Sequence, residues 1–254
     1  MGRVLVVSSG KGGVGKTTIT ANLGIMLARQ NKSVCVVDAD FGLNNLDVIM
    51  GLENRVVYDI MDVLKGNCRL AQGLIKDPIY SNLYLLASTK QESIKMVSKA
   101  DFKQIILDLA SVFDYVLIDS PAGIDFGFER AIFPAGEMLV IVTPTIASIR
   151  DAGKAIAKSK SIKTIDVKII VNRMKWKLAE MGEMLSHTDI QSLLGEGIVG
   201  VIPENNALNV GANLKSVFET EPEIDEAFFE VVKNIENYTE IVYDGRKKFR
   251  GFLG

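Results

Sequence analysis

The chain has 254 residues, of which 48% are hydrophobic and 24% charged, which predicts one large α/β domain with a substantial core. Its formal net charge of −2 excludes a generally basic surface, so no stable nucleic-acid binding is expected. The two cysteines, Cys35 and Cys68, have no C-x-x-C spacing, and no apolar run is long enough to cross a bilayer, so neither a metal–thiolate site nor a membrane span is predicted.

Apolar runs and amphipathic stretches alternate along the chain. The apolar, β-branched runs predict strands at residues 4–8, 33–38, 83–87, 115–119, 138–143, 167–172 and 198–202. Helical periodicity lies between most of them, at residues 17–30, 102–113, 147–161, 178–194 and 223–238. This alternation predicts an α/β fold with a single doubly wound, mostly parallel sheet and helices on both faces.

A phosphate-binding pattern, G-x-x-x-x-G-K-[ST], follows the first predicted strand. Its residues are Gly10, Lys11, Gly12, Gly13, Val14, Gly15, Lys16, Thr17 and Thr18. The four glycines are expected to take positive φ and to bring backbone N–H groups close to nucleotide phosphates. In this pattern Lys16 reaches the β- and γ-phosphates and the Thr17 hydroxyl holds Mg²⁺, which predicts a nucleoside triphosphatase.

The same loop also fits a second pattern, the G-x-G-x-x-G of dinucleotide-binding proteins, through Gly10, Gly12 and Gly15. Asp38 follows at roughly the distance at which such proteins bind the ribose. A nicotinamide-dependent oxidoreductase is therefore an alternative. Lys16 and Thr17 favour the nucleoside triphosphatase, because a pyrophosphate-binding turn needs neither a lysine nor a Mg²⁺-binding hydroxyl.

Asp119 ends an apolar run of the kind that forms a buried parallel strand. Open α/β sheets bind ligands at the carboxyl ends of their strands, so this carboxylate is placed to contact Mg²⁺ directly or through water. A strand-end aspartate that caps a helix is the alternative. The phosphate-binding loop favours the metal role.

Lys11 is a second lysine within the loop, and with it the loop is similar to the deviant Walker A motif. That motif marks an ATPase family that includes MinD, ParA-type partition proteins, flagellar-number regulators and the nitrogenase iron protein. Residues 38–47, 50–54, 119–124 and 148–152 resemble the MinD branch in particular. The resemblance covers nearly the whole chain and implies ATP as substrate and Mg²⁺ as cofactor.

The resemblance also implies roles for individual residues. Lys11 would cross a dimer interface and contact the ATP phosphates of the partner, as an arginine finger does. Asp40 would position the attacking water, and Asp38 would support the Mg²⁺ shell. The segment from Asp119 to Gly123 would sense the γ-phosphate. The implied catalytic residues are Lys11, Lys16 and Asp40, and the implied metal residues are Thr17, Asp38 and Asp119.

Two residues of the second half resemble an adenine site. Asn172 looks like the asparagine that reads the base, and Pro203 lies in a segment similar to the loop that lines it. From the sequence alone, Asn172 is also compatible with an ordinary turn at the end of a strand.

The last residues differ in composition from the rest of the chain, which divides it into an ATPase domain at 1–241 and a tail at 242–254. The basic and apolar residues of the tail are Arg246, Lys247, Lys248, Phe249, Arg250, Phe252 and Leu253. The three apolar ones fall at i, i+3 and i+4, on one face of a helix. A solvated tail is the simpler interpretation, whereas the family resemblance implies a segment that binds anionic lipids.

These features together predict a Mg²⁺-dependent ATPase that forms a homodimer with ATP, binds the inner membrane through its tail and helps to position the division septum. The resemblance implies Min-type partners, namely a division inhibitor and an ATPase activator. No signal peptide is expected, so the protein is predicted to be cytoplasmic and peripheral on the cytoplasmic face of the membrane. A flagellar-number regulator and a ParA-type DNA segregator are alternatives within the family.

Overall fold

An eight-stranded sheet forms the centre of the computed structural model, which describes residues 1–41, 45–88, 97–209 and 221–245. The strands are β1 Arg3–Ser8, β2 Val34–Asp38, β3 Leu74–Lys76, β4 Leu83–Leu86, β5 Tyr115–Asp119, β6 Glu137–Val142, β7 Asp166–Met174 and β8 Gly197–Pro203. Their order across the sheet is β3-β4-β2-β5-β1-β6-β7-β8, with β3 antiparallel to β4 and the other neighbours parallel. Their residues are almost entirely buried, as parallel strands covered on both faces require.

Helices connect most of these strands. They are α1 Lys16–Arg29, α2 Leu46–Ile49, α3 Ile60–Leu64, α4 Leu70–Gly73, α5 Lys99–Ala110, α6 Phe126–Ile132, α7 Ile146–Ile162, α8 Trp176–Glu180, α9 His187–Leu194, α10 Asn206–Asn209 and α11 Pro222–Asn237. Helix α1 packs on α11, while α5, α6 and α7 pack in sequence on one another. The predicted fold class, a doubly wound and mostly parallel sheet with helices, is confirmed. No helix among the described residues is long and apolar enough to span a membrane.

Two parts of the predicted secondary structure were wrong. The single helix predicted at 178–194 is two helices, α8 and α9, because Gly182 takes φ +73° and the Ser186 side chain caps a new helix by accepting from the Asp189 N–H. Strand β3 was not predicted, since a three-residue run that directly follows a helix carries no readable alternation.

The strand order brings three loops of the sequence to one edge of the sheet. Strand β5 lies between β1 and β2, so the carboxyl ends of these three strands are adjacent. The phosphate-binding loop leaves β1 there, Asp38 ends β2 and Asp119 ends β5. Ligands bind at this edge in open α/β sheets, and the predicted site residues converge on it.

Candidate nucleotide-binding site

The phosphate-binding loop enters α1 through a left-handed backbone. Gly13 has φ +81°, and Gly15, the residue that precedes α1, has φ +91°. Left-handed backbone of this kind allows the N–H groups of a loop to converge on an anion such as phosphate. The expectation of positive φ at Gly10 and Gly12 was wrong, because neither adopts it.

Gly10 is required for a different reason, which is close packing. A Cβ at Gly10 would lie 2.1 Å from the carbonyl carbon of Asp151 and 2.5 Å from the Ala152 nitrogen, both in the backbone of α7. Backbone cannot give way as a side chain can. The loop is therefore held directly against the start of α7.

Gly10→Ala is expected to lower the free energy of unfolding by about 1–3 kcal/mol or more, since the added methyl overpacks this contact. Urea denaturation of the nucleotide-free protein measures the change. Gly12→Ala is the matched control, because a Cβ there meets nothing within 4 Å and the backbone φ is not positive. Equal free energies of unfolding for the two variants would contradict this account.

A buried ion pair joins the loop to the end of β5. Lys16 Nζ lies 2.7 Å from Asp119 Oδ1, and the two side chains are 7% and 2% exposed. Thr20 Oγ1, which is fully buried, lies 3.0 Å from the same carboxylate oxygen and 2.9 Å from the Lys16 carbonyl oxygen. The sequence pattern does not include Thr20, although its position one helical turn after Lys16 places it on the same side of α1.

The carboxylates of β2 and β5 stand side by side. The strand register pairs Asp38 with Asp119, and Asp38 accepts from the Asp40 N–H at 2.9 Å. Burial, and secondarily the charge of Asp119, raises the pKa of Asp38 to about 7. Burial also raises the pKa of the half-buried Asp40. A cation at this edge would favour the ionised form of Asp38, so its binding would release a proton.

The donors at this edge suit Mg²⁺ when a nucleotide is present. Thr17 Oγ1 lies 3.4 Å from Lys16 Nζ, beside the Asp119 carboxylate that pairs with the same ammonium. Within the described parts of the chain, no group of three or more His, Cys, Asp or Glu side chains could hold a metal by itself. Mg²⁺ commonly binds through one or two carboxylates together with phosphate oxygens and water, and Thr17, Asp38 and Asp119 fit that mode.

The front of the loop opens into a cleft of about 480 Å³. Its lining includes Gly12, Gly13, Lys16, Thr17 and Asp40. Lys11 is only partly buried and its carbonyl oxygen accepts from Ser9 Oγ at 2.9 Å. The cleft thus brings Lys16, Thr17 and Asp40 together. Asp38 and Asp119 do not line it and are joined to it by hydrogen bonds, from the Asp40 N–H and from Lys16 Nζ respectively.

A smaller cavity of about 130 Å³ lies behind the loop. Asn172 and Pro203 line it together with Gly15, Thr18 and Arg173. This arrangement brings the two predicted adenine residues together next to the phosphate-binding loop.

The Asn172 side chain is fixed by two hydrogen bonds. Its Nδ2 donates to the Val14 carbonyl oxygen at 2.8 Å, and its Oδ1 accepts from the Arg173 N–H at 2.9 Å. An amide has two hydrogens and two lone pairs, so one donor and one acceptor position remain for a base. A Cβ at Gly15 would lie 2.4 Å from Nδ2, so this glycine is also needed for the contact.

Sequence reasoning missed two further residues near Asp40. Ser88 is 1% exposed and its hydroxyl donates to the Asp40 carbonyl oxygen at 3.2 Å. Arg130, in α6, is 1% exposed and lies over the ring of Phe41. Neither belongs to a recognised motif, so only the folded chain reveals them. The predicted tail residues from Arg246 to Leu253 lie outside the described residues.

The chain is similar in sequence to one family model and to curated proteins from several organisms. A family model described as an AAA domain matches residues 2–175. The chain is 46% identical over 215 residues to the septum site-determining protein MinD of Thermotoga maritima, covering 84% of this chain and 79% of that one. It is 42% identical to the MinD of Helicobacter pylori, covering 100% of this chain and 97% of that one.

The fold of the chain is also similar to solved structures of such relatives. The fold matches a chain of the MinC:MinD cell division protein complex of Aquifex aeolicus with a TM-score of 0.87 and 37% identity, covering 95% and 98% of the two chains. It also matches MinD of Pyrococcus horikoshii, solved with Mg-ADP, with a TM-score of 0.81 and 25% identity over 92% and 96%. The structural similarity therefore extends over more than nine-tenths of the chain.

Proposed function

The chain belongs to the MinD family of septum-site-determining P-loop ATPases, and on that basis we propose that it dimerises with Mg·ATP, binds the membrane through its tail and helps to place the division septum. The observation that carries the proposal is the buried Lys16–Asp119 pair at the base of a loop that holds a second lysine, Lys11. An NAD-type site needs neither feature. The Mg-ADP bound to the Pyrococcus relative supports the same choice of ligand.

The phosphates of ATP would replace Asp119 as the partner of the Lys16 ammonium. In the described structure this ammonium is neutralised by Asp119, and a γ-phosphate in the cleft offers a competing set of negative oxygens. Asp119 would then be released to the metal shell with Thr17 and Asp38. When bound, Mg²⁺ would neutralise negative charge on the β- and γ-phosphate oxygens.

Asp40 would orient the water that attacks the γ-phosphate. Its backbone is fixed on both sides, by the Asp38 carboxylate on its N–H and by the Ser88 hydroxyl on its carbonyl oxygen. A fixed backbone restricts where the carboxylate can hold a water, and positioning of this kind contributes much of the rate in phosphoryl transfer. Lys11, partly exposed at the mouth of the loop, would supply positive charge to the active site of the partner.

Asp40→Ala and Lys11→Ala are expected to separate ATP binding from hydrolysis. Asp40→Ala should bind Mg·ATP with unchanged affinity and accumulate as a dimer, while turnover falls at least about 100-fold through loss of the positioned water. Lys11→Ala should bind ATP, dimerise weakly and fail to hydrolyse it. Phosphate release and analytical ultracentrifugation with ATP measure these properties.

Lys65→Ala is the control for this pair, because Lys65 is exposed and follows α3, away from the loop. It should hydrolyse ATP at the rate of the unchanged protein. Normal turnover in Lys11→Ala would remove the proposed role of the second lysine. Normal turnover in Asp40→Ala would remove the proposed role of Asp40 in water positioning.

The proposal extends to location and partners. The basic and apolar tail would hold the ATP-bound dimer on the cytoplasmic face of the inner membrane. A division inhibitor of the Min type is the expected partner, because the Aquifex relative was solved in a complex with MinC. An ATPase activator would act at the dimer. Depletion of the protein in its host should displace the septum from its normal position, whereas a flagellar-number regulator would instead change the number of flagella.

A further inference from the structure

Helix α6 carries an arginine that is buried among aromatic rings. Arg130 is 1% exposed, and its guanidinium carbon lies 4.0 Å from the centroid of the Phe41 ring. The rings of Phe102 and Phe126 each lie 5.9 Å from the same carbon. A planar guanidinium stacks favourably on aromatic faces, and the attraction is larger when the cation is desolvated.

Phe41 directly follows Asp40, so the stacking partner of Arg130 is the next residue after the proposed water-positioning group. Phe41 is 4% exposed and its ring meets Phe102 edge to face, with centroids 6.4 Å apart. Its position is thus set by α5 on one side and by α6 on the other. A shift of the Phe41 ring would move the backbone that carries the Asp40 side chain.

Glu129, the residue before Arg130, joins α6 to its two neighbouring helices through ion pairs. Glu129 Oε2 lies 2.6 Å from Lys99 Nζ of α5, and Glu129 Oε1 lies 2.6 Å from Lys158 Nζ of α7. These two partners lower the pKa of Glu129 to about 2, so the carboxylate stays ionised in the pH range of the cell. Glu129 and Arg130 together hold α6 to its neighbours and to Phe41.

Helix α6 follows the Asp119–Gly123 segment and packs on it closely. A Cβ at Gly127 would lie 2.7 Å from Cγ of Pro121, which shows how near the helix comes to that segment. A second link joins the two segments through the backbone, where the Ala39 N–H donates to the Asp119 carbonyl oxygen at 3.0 Å. A movement of the Asp119–Gly123 segment can therefore be transmitted to Asp40 through α6 and Arg130.

We propose that Arg130 is a positioning residue for ATP hydrolysis: by stacking on Phe41 it ties α6 to Asp40, so that the water is aligned only while α6 is in place. The inference rests on the proposed role of Asp40. It concerns turnover and not nucleotide affinity, because Arg130 is not among the residues that line either cavity of the nucleotide site.

The test uses the full-length protein carrying Arg130→Met, which keeps the volume and removes the planar cation, or Arg130→Lys, which keeps the charge and removes the plane. Phe41→Leu removes the ring from the other side. We expect kcat to fall at least tenfold in Arg130→Met and Phe41→Leu and less in Arg130→Lys. The Kd for a fluorescent ATP analogue should stay within twofold of the unchanged protein.

The double variant Arg130→Met/Phe41→Leu should be no slower than the slower single variant, because each change breaks the same contact. Arg69→Met, an exposed arginine next to α4, is the control and should keep kcat unchanged. If Arg130→Met does not fold, Arg130→Lys and Phe41→Leu give the same comparison. An unchanged kcat in these variants, or multiplying losses in the double variant, would overturn the proposal.

Asp40→Ala in the same assay keeps this inference distinct from the proposed function. Normal turnover in Asp40→Ala would refute the role of Asp40 on which the inference depends. A strong loss in Asp40→Ala combined with normal turnover in the Arg130 variants would refute the inference alone. A lower thermal midpoint with unchanged kcat would identify Arg130 as a purely structural residue.

Discussion

Lys16→Ala is expected to weaken Mg·ATP binding by at least about 100-fold, which corresponds to about 2.8 kcal/mol. The Lys16 side chain is 7% exposed, so in the complex its ammonium would meet the phosphates in a setting that water screens poorly. Hydrogen bonds to charged groups contribute about 1.5–3 kcal/mol each, and this lysine would make more than one. Calorimetric titration with Mg·ATP measures the loss.

The same substitution should also destabilise the nucleotide-free protein, by about 3–5 kcal/mol, because it leaves the buried Asp119 carboxylate without its cation. Stability and binding are separated by a second variant, Lys16→Met/Asp119→Asn, which removes both charges. It should recover much of the free energy of unfolding in urea and still fail to bind ATP. Its binding defect could then not be attributed to unfolding.

Lys65→Ala serves here as the control for loss of a lysine, since it is exposed and should leave both quantities unchanged. Titration with NADH is a control for ligand class. Binding of NADH without binding of ATP would contradict the assignment as an ATPase. So would a Lys16→Ala protein that binds ATP with normal affinity.

The sequence predicted the parts of the fold and site that depend on local pattern. Continuous apolar runs located β1 and β5, because strands covered on both faces need no polar alternation. The loop from Gly10 to Thr18 was recognisable because phosphate binding restricts residue type at each position. The carboxyl-end rule then predicted that Asp119 lies at the ligand-binding edge of the sheet, and the family resemblance implied that Asp38 lies near it.

Residues that act through three-dimensional contact could not be predicted in this way. The pairing of Lys16 with Asp119 spans 103 positions, and the contact between Asp40 and Ser88 spans 48. Arg130 carries no motif, and a basic residue in a helix is usually solvated, so its burial against Phe41 was not expected. Such contacts depend on strand order and helix packing, which local periodicity does not specify.

Gly10 and Gly12 illustrate the same limit within one motif. The pattern treats both as phosphate-binding glycines, yet Gly10 is needed because α7 lies against its backbone, while a Cβ at Gly12 would meet open space. The motif records that glycine occurs at a position. At Gly10 the packing of the folded chain supplies the reason, and at Gly12 it does not.

The second large effect is expected in the tail, where Phe252→Glu should release the protein from anionic vesicles. Burial of three apolar side chains contributes about 5 kcal/mol, and four basic residues add about 1 kcal/mol each near an anionic surface. Ordering a residue costs roughly 1–2 kcal/mol, so ordering several of them costs a similar amount. One tail should therefore bind only weakly, and two tails on an ATP dimer should bind together.

The first residues of the tail pack against the body of the protein. Tyr243 is 7% exposed, and a Cβ at Gly245 would lie 2.5 Å from Nε1 of the Trp176 indole. The chain is thus packed against the body up to the residue that precedes Arg246. In a dimer, the two tails would therefore leave the protein at a fixed distance from each other. A fixed distance would favour binding of both tails to the same membrane.

Vesicle sedimentation with a non-hydrolysable ATP analogue and with ADP tests this prediction. The unchanged protein should sediment with the ATP analogue and remain largely in solution with ADP. Phe252→Glu should stay in solution in both states and keep its affinity for ATP, because it leaves the phosphate-binding loop and the predicted adenine residues unchanged. Phe229→Glu is the matched control, as Phe229 is 45% exposed on α11, and it should sediment as the unchanged protein does.

Salt separates the two contributions to membrane binding. The basic residues would act through a surface potential that is screened over about 8 Å at physiological ionic strength, whereas the binding contributed by Phe249, Phe252 and Leu253 would not weaken with salt. Raised salt should therefore weaken sedimentation of the unchanged protein with the ATP analogue. Phe252→Glu should stay in solution at low and at high salt. Equal sedimentation with ADP and ATP would show that binding does not require the dimer, and the tail would then act as a constant anchor and not as a nucleotide-controlled one.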